Sequence, residues 1–406
     1  MRILFIAISE SVHTARWLSQ LADEDWDLHL FPAEFGIPHP DYRNVTIHSF
    51  YRNHRNGSNS GVHQKGIYWP LPRGIARIKQ ISDLLAPNIA TQSARLARTI
   101  RSLKPDIVHV LEMQSSGYLM LEAMKSLSGY SLPPLIYSSW GSDIFLYGRQ
   151  PEHAKKIRAF LARCDFYVSD CERDLPLARE FGFPGETLGV FPGAGGYDLA
   201  HMQQFHQRAP TSSRRVIALK GQQNIRGTNA LAALEALETC ADVLNGIEIV
   251  VYSASDEIRA ALRRISRIEG LQVRELPNCP HEEILKLMGR ARIAIGINTS
   301  DGTPNAMLEA MVLRAFPIQS DTVSTAEWIE SGRNGFLVPA DDSKAIAQAI
   351  RQALTDDELV DRAAEMNANL TRQRLDLSII RPKVIDLYRK VAQQVRRTES
   401  RFIGDA

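Results

Sequence analysis

The sequence predicts an α/β protein of two domains, each a parallel sheet with helices on both faces. Short apolar runs alternate with amphipathic helical patterns through both halves of the chain, which is typical of successive βαβ units. In addition, a chain of 406 residues is too long for one ordinary hydrophobic core. Two Rossmann-like domains of similar size are therefore expected.

The first half begins and ends with apolar runs that are short enough to be strands. The predicted elements are, in order, strand RILFIAI, helix HTARWLSQLA, strands DLHLFP and DIVHVLE, helix YLMLEAMKSL, and strands PLIYSS and DFYVSD. The second half repeats the alternation with strand RVIALKG, helix NALAALEALETC and strands IEIVVYSA, LQVREL, RIAIGIN and FPIQSD. Enrichment in Val, Ile and aromatic residues favours strands over helices for these short runs.

A proline- and glycine-rich stretch at residues 192–196 separates the two halves and marks a flexible crossing. The boundary is placed near Tyr197, which gives a first domain of residues 1–197 and a second of residues 198–378. The last helical pattern, within residues 379–406, is expected to cross back to the first domain.

Composition excludes several classes of protein. With 44% hydrophobic and 23% charged residues, the chain is typical of a globular enzyme rather than a disordered or fibrous protein. Its cysteines (Cys164, Cys171, Cys240 and Cys279) form no C-x-x-C pair, so they are expected to be reduced thiols rather than zinc ligands or disulfides. The amino-terminal run RILFIAI is too short for a signal peptide or a spanning helix, so a cytoplasmic location is expected.

Positive charge is concentrated in one segment of the first domain. From Tyr51 to Lys104 there are ten Lys or Arg residues and one acid, Asp83, with aromatic and aliphatic residues interleaved. This composition is typical of a surface that binds an anionic membrane. An ordinary solvated helix face and loop would explain it equally well. Nucleic acid is not expected, because the aromatic residues form no recognisable binding motif.

Two common ligand motifs are missing or misplaced. The first strand ends in Ser9-Glu10-Ser11 without the glycines of G-x-G-x-x-G, which argues against NAD or FAD. A D-x-D pattern occurs at residues 23–27, but it precedes a strand instead of following one. Because ligands collect at the carboxyl ends of parallel strands, this run is expected to be a solvated loop, and no metal is predicted.

The most informative stretch is an apolar helical run with one carboxylate, Glu309, in its middle. An unpaired charge among such neighbours would be very costly. Eight residues earlier stands Asp301, followed by Gly302, Thr303 and Pro304, which are interpreted as a tight turn, an N-cap and a first helical position. Amides at a helix N-terminus attract phosphate, and a carboxylate one or two turns further can accept hydrogen bonds from ribose hydroxyls. The pattern predicts a nucleotide-sugar site.

The order of residues in this region resembles the donor signature of glycosyltransferase family 4. It consists of an acid, seven residues and Glu309, followed by a strand that contains proline and by a further Glu before Asn-Gly. Members of that family are retaining enzymes of the GT-B fold, with two Rossmann-like domains and a cleft between them. The resemblance implies that Asp301 contacts the sugar, that Glu309 holds the ribose, and that the third acid is Glu327. It also implies that the intervening residues Gly302, Thr303, Pro304 and Asn305 hold the diphosphate, with backbone N–H groups as donors except at Pro304, which has none.

The remaining candidate residues follow predicted strands. By the same resemblance, Lys220 and Arg226 match the cations that bind the donor diphosphate, the alternative for Lys220 being a solvated strand end. Asp143 matches the acid of the family's H-G-x-D loop and is a catalytic candidate that would contact sugar hydroxyls, or it caps a helix beginning at Ile144. Glu112, the last residue of the run DIVHVLE and just past the predicted strand, is a candidate catalytic residue of the cleft. Glu327 is expected at the start of a helix, where the helix dipole alone would favour it.

The resemblance, together with these residues, implies a retaining, metal-independent glycosyltransferase that needs no cofactor beyond a nucleotide-sugar donor, with a UDP- or GDP-sugar favoured. The acceptor is expected to be a glycan or lipid-linked hydroxyl, as in polysaccharide or lipopolysaccharide assembly, with the enzyme at the inner membrane face. Two alternatives remain: a GT-B nucleotide-sugar epimerase, and a non-catalytic nucleotide-sugar-binding protein.

Overall fold

The computed structural model describes residues 1–52, 61–68, 91–192, 195–224, 227–321 and 324–404. The chain forms two compact units, the first comprising Met1–Gly195 with Arg381–Ala406 and the second Gly196–Ile380. Each unit contains one sheet, in which every pair of neighbouring strands is parallel. The predicted fold class, two α/β domains with parallel sheets, is confirmed.

The first unit contains an eight-stranded sheet of order β4-β3-β2-β1-β5-β6-β7-β8. Its strands are β1 Arg2–Ala7, β2 Asp27–Pro32, β3 Thr46–Arg52, β4 His63–Tyr68, β5 Ile107–Leu111, β6 Leu135–Ser138, β7 Phe166–Ser169 and β8 Glu186–Val190. Its helices are α1 Val12–Ser19, α2 Gln92–Leu103, α3 Tyr118–Ser126, α4 Pro151–Leu161 and α5 Asp174–Glu180. The apolar run of β1 is buried from Ile3 to Ala7, as expected for a central strand with both faces covered.

The second unit contains a six-stranded sheet of order β11-β10-β9-β12-β13-β14. Its strands are β9 Val216–Lys220, β10 Glu248–Tyr252, β11 Gln272–Leu276, β12 Ile293–Gly296, β13 Phe316–Ser320 and β14 Phe336–Val338. Its helices are α6 Leu199–Gln203, α7 Ala230–Thr239, α8 Asp256–Ile265, α9 His281–Arg290, α10 Asn305–Val312, α11 Ser343–Thr355 and α12 Asp357–Leu375.

Alternation along β9 builds two cores, one on each face of this sheet. Ile217 and Leu219 pack in one apolar cluster, whereas Val216 and Ala218 pack in the other. Successive side chains of a strand point to opposite faces, so a strand covered on both sides is apolar throughout.

The last helix, α13 Leu377–Gly404, starts in the second unit and continues in the first from Arg381. Within the first unit, Tyr388 is fully buried, and its hydroxyl accepts a hydrogen bond from Trp17 Nε1 at 2.7 Å. The same hydroxyl lies 2.6 Å from Nδ1 of buried His109, whose Nε2 is 2.7 Å from Ser138 Oγ. A neutral imidazole, with one donor and one acceptor nitrogen, satisfies this chain of bonds, and burial lowers the pKa of His109 to about 3.

Several features were not predicted. Strands β3, β4, β8 and β14 are additional to the sequence-based elements. All residues of β8 are only half-buried and β14 is three residues long, so neither gives a strong apolar pattern. The predicted helix at Ile144 is wrong, since residues 141–146 form turns. The carboxylate of Asp143 accepts a hydrogen bond from Trp140 N at 2.8 Å, which closes a turn instead of starting a helix.

All four cysteines lie in described segments and form no disulfide, and Cys164, Cys171 and Cys240 are buried. In the part of the chain that the structure describes, no helix has the length and apolar character needed to cross a bilayer.

Replacing Tyr388 by Phe should destabilise the first unit, because Trp17 Nε1 and His109 Nδ1 lose their buried partner. We expect the free energy of unfolding in urea to fall by about 1–3 kcal/mol. The control is Tyr130→Phe, since the half-buried Tyr130 hydroxyl has no hydrogen bond among the described residues. An equal effect of both changes would contradict the role of the Tyr388 hydroxyl.

His109 should also make stability depend on pH. Between pH 6.5 and about pH 3 the unfolded chain protonates this imidazole whereas the folded protein does not, so unfolding takes up a proton. The free energy of unfolding should therefore fall with acid in that window, by up to about 1.4 kcal/mol per pH unit. Urea titrations across the window should show a shallower slope for His109→Gln, while His63→Gln, at an exposed position, should keep the wild-type slope.

Candidate functional site

The candidate donor site lies at the carboxyl edge of the second unit's sheet. β9, β12 and β13 are neighbouring parallel strands, so their carboxyl ends lie at one edge. Lys220 ends β9, the segment from Asp301 to Asn305 follows β12, and Glu327 follows β13. Ligands of open α/β sheets bind at this edge. The structure thus brings these predicted residues to one side of the sheet, while Arg226 lies outside the described residues.

Hydrogen bonds tie the loop after β12 to the loop after β13. The backbone N–H of Asn298 donates to Ser320 Oγ at 2.8 Å, and Ser324 Oγ donates to the carbonyl of Gly302 at 2.6 Å. Asp301 Oδ1 accepts from the N–H of Gly302 at 2.9 Å, so the acid folds over its own turn. The buried Gly302 and the half-buried Asp301 are therefore held in a fixed loop.

Helix α10 starts one residue later than predicted. Pro304 has φ −65° and ψ 116°, an extended conformation, so it takes the N-cap position and Asn305 is the first helical residue. Thr303 is therefore not the cap, and Pro304 is not the first residue of the helix. Tyr197, whose hydroxyl donates to Asn305 Oδ1 at 2.5 Å, fixes this first residue from another part of the unit. The first amides of an α-helix have no carbonyl one turn back to bond with, which makes such an end suited to anions.

The carboxylate of Glu309 is almost fully buried, with 5% of the residue exposed. His281, the first residue of α9, donates from Nε2 to Glu309 Oε1 at 2.9 Å. Burial and then the charge of Glu309 raise the pKa of Tyr252, the last residue of β10. Because Tyr252 is the register partner of Lys220, the carboxylate and the ammonium belong to the same edge.

The lysine at this edge is half-buried at the end of β9. Among the described residues, the Lys220 side chain has neither a hydrogen bond nor an ion pair. A cation in that position is suited to an anionic ligand, because charge-assisted hydrogen bonds to phosphate are among the strong ones.

Glu327 does not start a helix, contrary to the prediction. It ends a short 3₁₀ turn, Ser324–Glu327, and the chain continues as irregular backbone. Arg374 donates to the Glu327 carbonyl at 2.7 Å and stacks 3.8 Å above the Trp328 ring. The helix-dipole explanation for this acid is therefore removed, and its contact with donor stays a prediction.

In the first unit, the carboxylates of Glu112 and Asp143 accept hydrogen bonds from backbone N–H groups. Glu112 has φ 76°, a left-handed conformation that is uncommon outside glycine, and is 2% exposed. Its Oε1 accepts from the N–H of Gln114 at 2.7 Å, and its Oε2 accepts from Ser115 at 2.8 Å and Ser116 at 3.1 Å. It thus caps the turn leading into α3, and its predicted catalytic role in the cleft stays a prediction.

Asp143 is 3% exposed, and a single oxygen, Oδ2, accepts from Met113 N, Trp140 N and Tyr137 Oη at 2.8–3.0 Å. Burial, followed by the charge of Glu112, raises the pKa of Asp143 well above its usual value. These bonds explain Asp143 as a residue that joins two loops, whereas its catalytic role stays a prediction.

Two aspartates of the D-x-D run lie in ion pairs. Asp23 pairs with Arg43 and Arg381 at 3.2 Å, and Asp27 pairs with Arg2 at 2.7 Å. Arginine therefore satisfies the carboxylates of Asp23 and Asp27. Of the basic segment from Tyr51 to Lys104, residues 53–60 and 69–90 lie outside the description, so its membrane role stays a prediction.

Sequence reasoning missed His281 and Tyr197 because both meet α10 only through tertiary structure. His281 is 28 positions before Glu309, and Tyr197 is 108 before Asn305. The available signal was indirect: a buried carboxylate needs a partner, but its distance along the chain is not encoded locally.

Glu112 and Asp143 should respond differently to removal of charge. Glu112→Gln has only one carbonyl oxygen for bonds that now use two, so we expect a loss of about 1–3 kcal/mol in unfolding free energy. Asp143→Asn keeps an oxygen for all three donors and should lose less than about 1 kcal/mol. Urea unfolding measures both, and the reverse order would contradict the caps described above.

Comparisons with known proteins support this assignment of the fold. Residues 2–169 match the family model described as Glycosyl transferase 4-like, and residues 217–356 match the model described as Glycosyl transferases group 1. No curated protein sequence matches the chain.

Solved structures extend the likeness over nearly the whole chain. HepE of Anabaena in complex with UDP-glucose is 15% identical, with 96% of this chain and 100% of that chain covered and a TM-score of 0.64. Sucrose-phosphate synthase of Thermosynechococcus elongatus is 13% identical over 96% and 99%, with a TM-score of 0.68. A UDP-forming α,α-trehalose-phosphate synthase of Burkholderia xenovorans is 14% identical over 96% and 99%, with a TM-score of 0.67. At such identities these structures establish the fold, and the two family models, which together span most of the chain, establish the family. The chain belongs to the glycosyltransferases of the GT-B fold and is an enzyme of that class.

Proposed function

We propose that this enzyme transfers a sugar from a nucleotide sugar to an acceptor hydroxyl with retention of anomeric configuration, and that the second unit binds the donor. The observation that carries this proposal is the buried carboxylate of Glu309, one turn inside a helix that opens at the carboxyl edge of a parallel sheet. UDP-sugars are the first donors to test, since HepE of Anabaena was solved with UDP and with UDP-glucose.

Each part of the donor has a matching group at this edge. Glu309 accepts hydrogen bonds from the ribose hydroxyls, and Asp301 orients the transferred sugar. Lys220 and the first amides of α10 bind the diphosphate, which carries the growing charge as the sugar leaves. We propose Arg226 and Glu327 as further donor contacts, on the resemblance of the sequence alone.

The proposed chemistry is a front-face displacement that needs no side-chain nucleophile. The bond between the anomeric carbon and the phosphate oxygen breaks, and the acceptor oxygen bonds to the same face of that carbon. The proton of the acceptor hydroxyl passes to an oxygen of the departing diphosphate. Cations and amides around the diphosphate lower the barrier by stabilising its negative charge.

We further propose a glycan or lipid-linked acceptor in polysaccharide or lipopolysaccharide assembly, bound by the first unit, with the enzyme acting at the inner face of the membrane. The basic composition from Tyr51 to Lys104 supports this part of the proposal. An epimerase would convert the donor without an acceptor, and a binding protein would turn over no donor. Incubation with labelled UDP-sugar alone, and then with acceptor, separates these alternatives.

Glu309→Gln should weaken UDP-glucose binding by about ten- to a hundredfold, because hydroxyl bonds to a charged carboxylate contribute about 1.5–3 kcal/mol. Isothermal titration measures the affinity, and circular dichroism verifies the fold. The matched control is Glu330→Gln, which removes an exposed carboxylate of the same unit. Unchanged affinity in Glu309→Gln would remove this residue from the donor site.

A further inference from the structure

A pocket of the first unit lies where β2 and β3 end and α2 begins. Its lining includes Glu34 after β2, His48 and Phe50 in β3, and Gln92 and Arg95 in the first turn of α2. β2 and β3 are parallel neighbours, so the pocket opens at the edge where ligands of such sheets collect.

Arg95 holds an unusual position in this pocket. Its guanidinium carbon lies 4.8 Å from the Phe50 ring centroid and 5.5 Å from that of Phe31. One of its nitrogens donates to the His48 carbonyl at 3.4 Å. Among the described residues no carboxylate forms an ion pair with Arg95, and burial, followed by the charge of Arg98, lowers the pKa of its guanidinium. A half-buried cation between aromatic rings, without an ion-pair partner among these residues, is suited to binding an anion.

The first turn of α2 is fixed to the sheet. Gln92 Nε2 donates to the carbonyls of Pro32 and Ala33 at 2.8 and 2.9 Å, and Thr91 Oγ1 caps the helix by accepting from Ala94 N. Arg95 is therefore presented by a rigid element rather than by a loose surface loop. The positive end of the 12-residue helix adds to the field of its guanidinium.

The other polar groups of the pocket set further requirements. Burial, followed by the charge of His29, lowers the pKa of His48 to about 4, so this ring is neutral near pH 7 and adds no positive charge. Glu34 is exposed, and its carboxylate accepts a hydrogen bond from Ser115 Oγ. A carboxylate in the lining, at the exposed side of the pocket, repels a second anionic group and accepts hydrogen bonds from hydroxyls.

We propose that this pocket binds the anionic group, a phosphate or carboxylate, of a hydroxyl-bearing acceptor, with Arg95 as the residue that selects for the negative charge. The anion lies against the guanidinium, and hydroxyls of the same ligand face Glu34. The assignment of this ligand as the acceptor rests on the proposed transferase function. Binding of the anion itself does not, because it requires no turnover.

The test is isothermal titration of the full chain with glucose 6-phosphate, glucuronate and glucose as probes. Wild type should bind an anionic probe more tightly than glucose, and Arg95→Gln should lose about ten- to a hundredfold of that affinity. The matched control, Arg98→Gln, removes the same charge from an exposed position of the same helix and should retain binding. Arg95→Lys keeps the positive charge but lacks the planar guanidinium, so its affinity for the anionic probe should lie between those of wild type and Arg95→Gln. It replaces Arg95→Gln in the test if that variant fails to fold.

A lipid-borne anion is tested by sedimentation with vesicles of phosphatidylglycerol and phosphatidylcholine, compared with phosphatidylcholine alone. If Arg95→Gln loses binding of the soluble probe, the ligand is a soluble anionic acceptor. If it loses binding of vesicles but not of the soluble probe, the ligand is a lipid headgroup. Equal losses in Arg95→Gln and Arg98→Gln, or no loss in either assay, overturn the proposal. Titration of the same variants with UDP-glucose separates the anion-pocket proposal from the proposed donor site. Binding of the anion without binding of the nucleotide sugar would contradict only the proposed donor.

Discussion

A carboxylate enclosed by apolar side chains is the constraint on which the second unit's site depends. Glu309 sits in α10 between residues that are buried in the core, among them Leu308 and Ala310. Burial of a charge is tolerated only where it is paired or hydrogen-bonded. The helix must therefore turn this one residue towards polar groups while its neighbours fill the core, and the edge near His281 and Tyr252 supplies them.

The parallel sheets convert this local constraint into a site. Because every strand of the second unit runs in the same direction, all loops that follow strands lie at one edge, whatever their separation in sequence. Lys220 and Asp301 lie at the same edge although 81 positions separate them in the numbering. Hydrogen bonds such as that from Ser324 Oγ to the Gly302 carbonyl then fix the loops of the candidate site relative to one another.

The last helix has a different role, because it completes the first unit with residues from the far end of the chain. Val384, Tyr388 and Val391 are fully buried there, at the spacing of one helical face. Polar contacts surround this apolar stripe: Arg389 pairs with Glu24 at 3.0 Å, and Lys390 pairs with Glu186. Exposed pairs of this kind contribute little to stability, so the buried stripe and the Tyr388 hydroxyl hold the helix.

The sequence by itself determined the fold class, the central strands and the helix that carries Glu309, because these depend on local periodicity and on the cost of burying one carboxylate. It did not determine short or half-exposed elements such as β14, nor the turn after Trp140, where a side chain satisfies the backbone. Only the tertiary structure decided which distant side chains meet: His281 with Glu309, Tyr197 with Asn305, and Arg95 with Phe31 and Phe50. Such pairs depend on distance in space, which local sequence patterns do not specify, and they set the chemistry of both candidate sites.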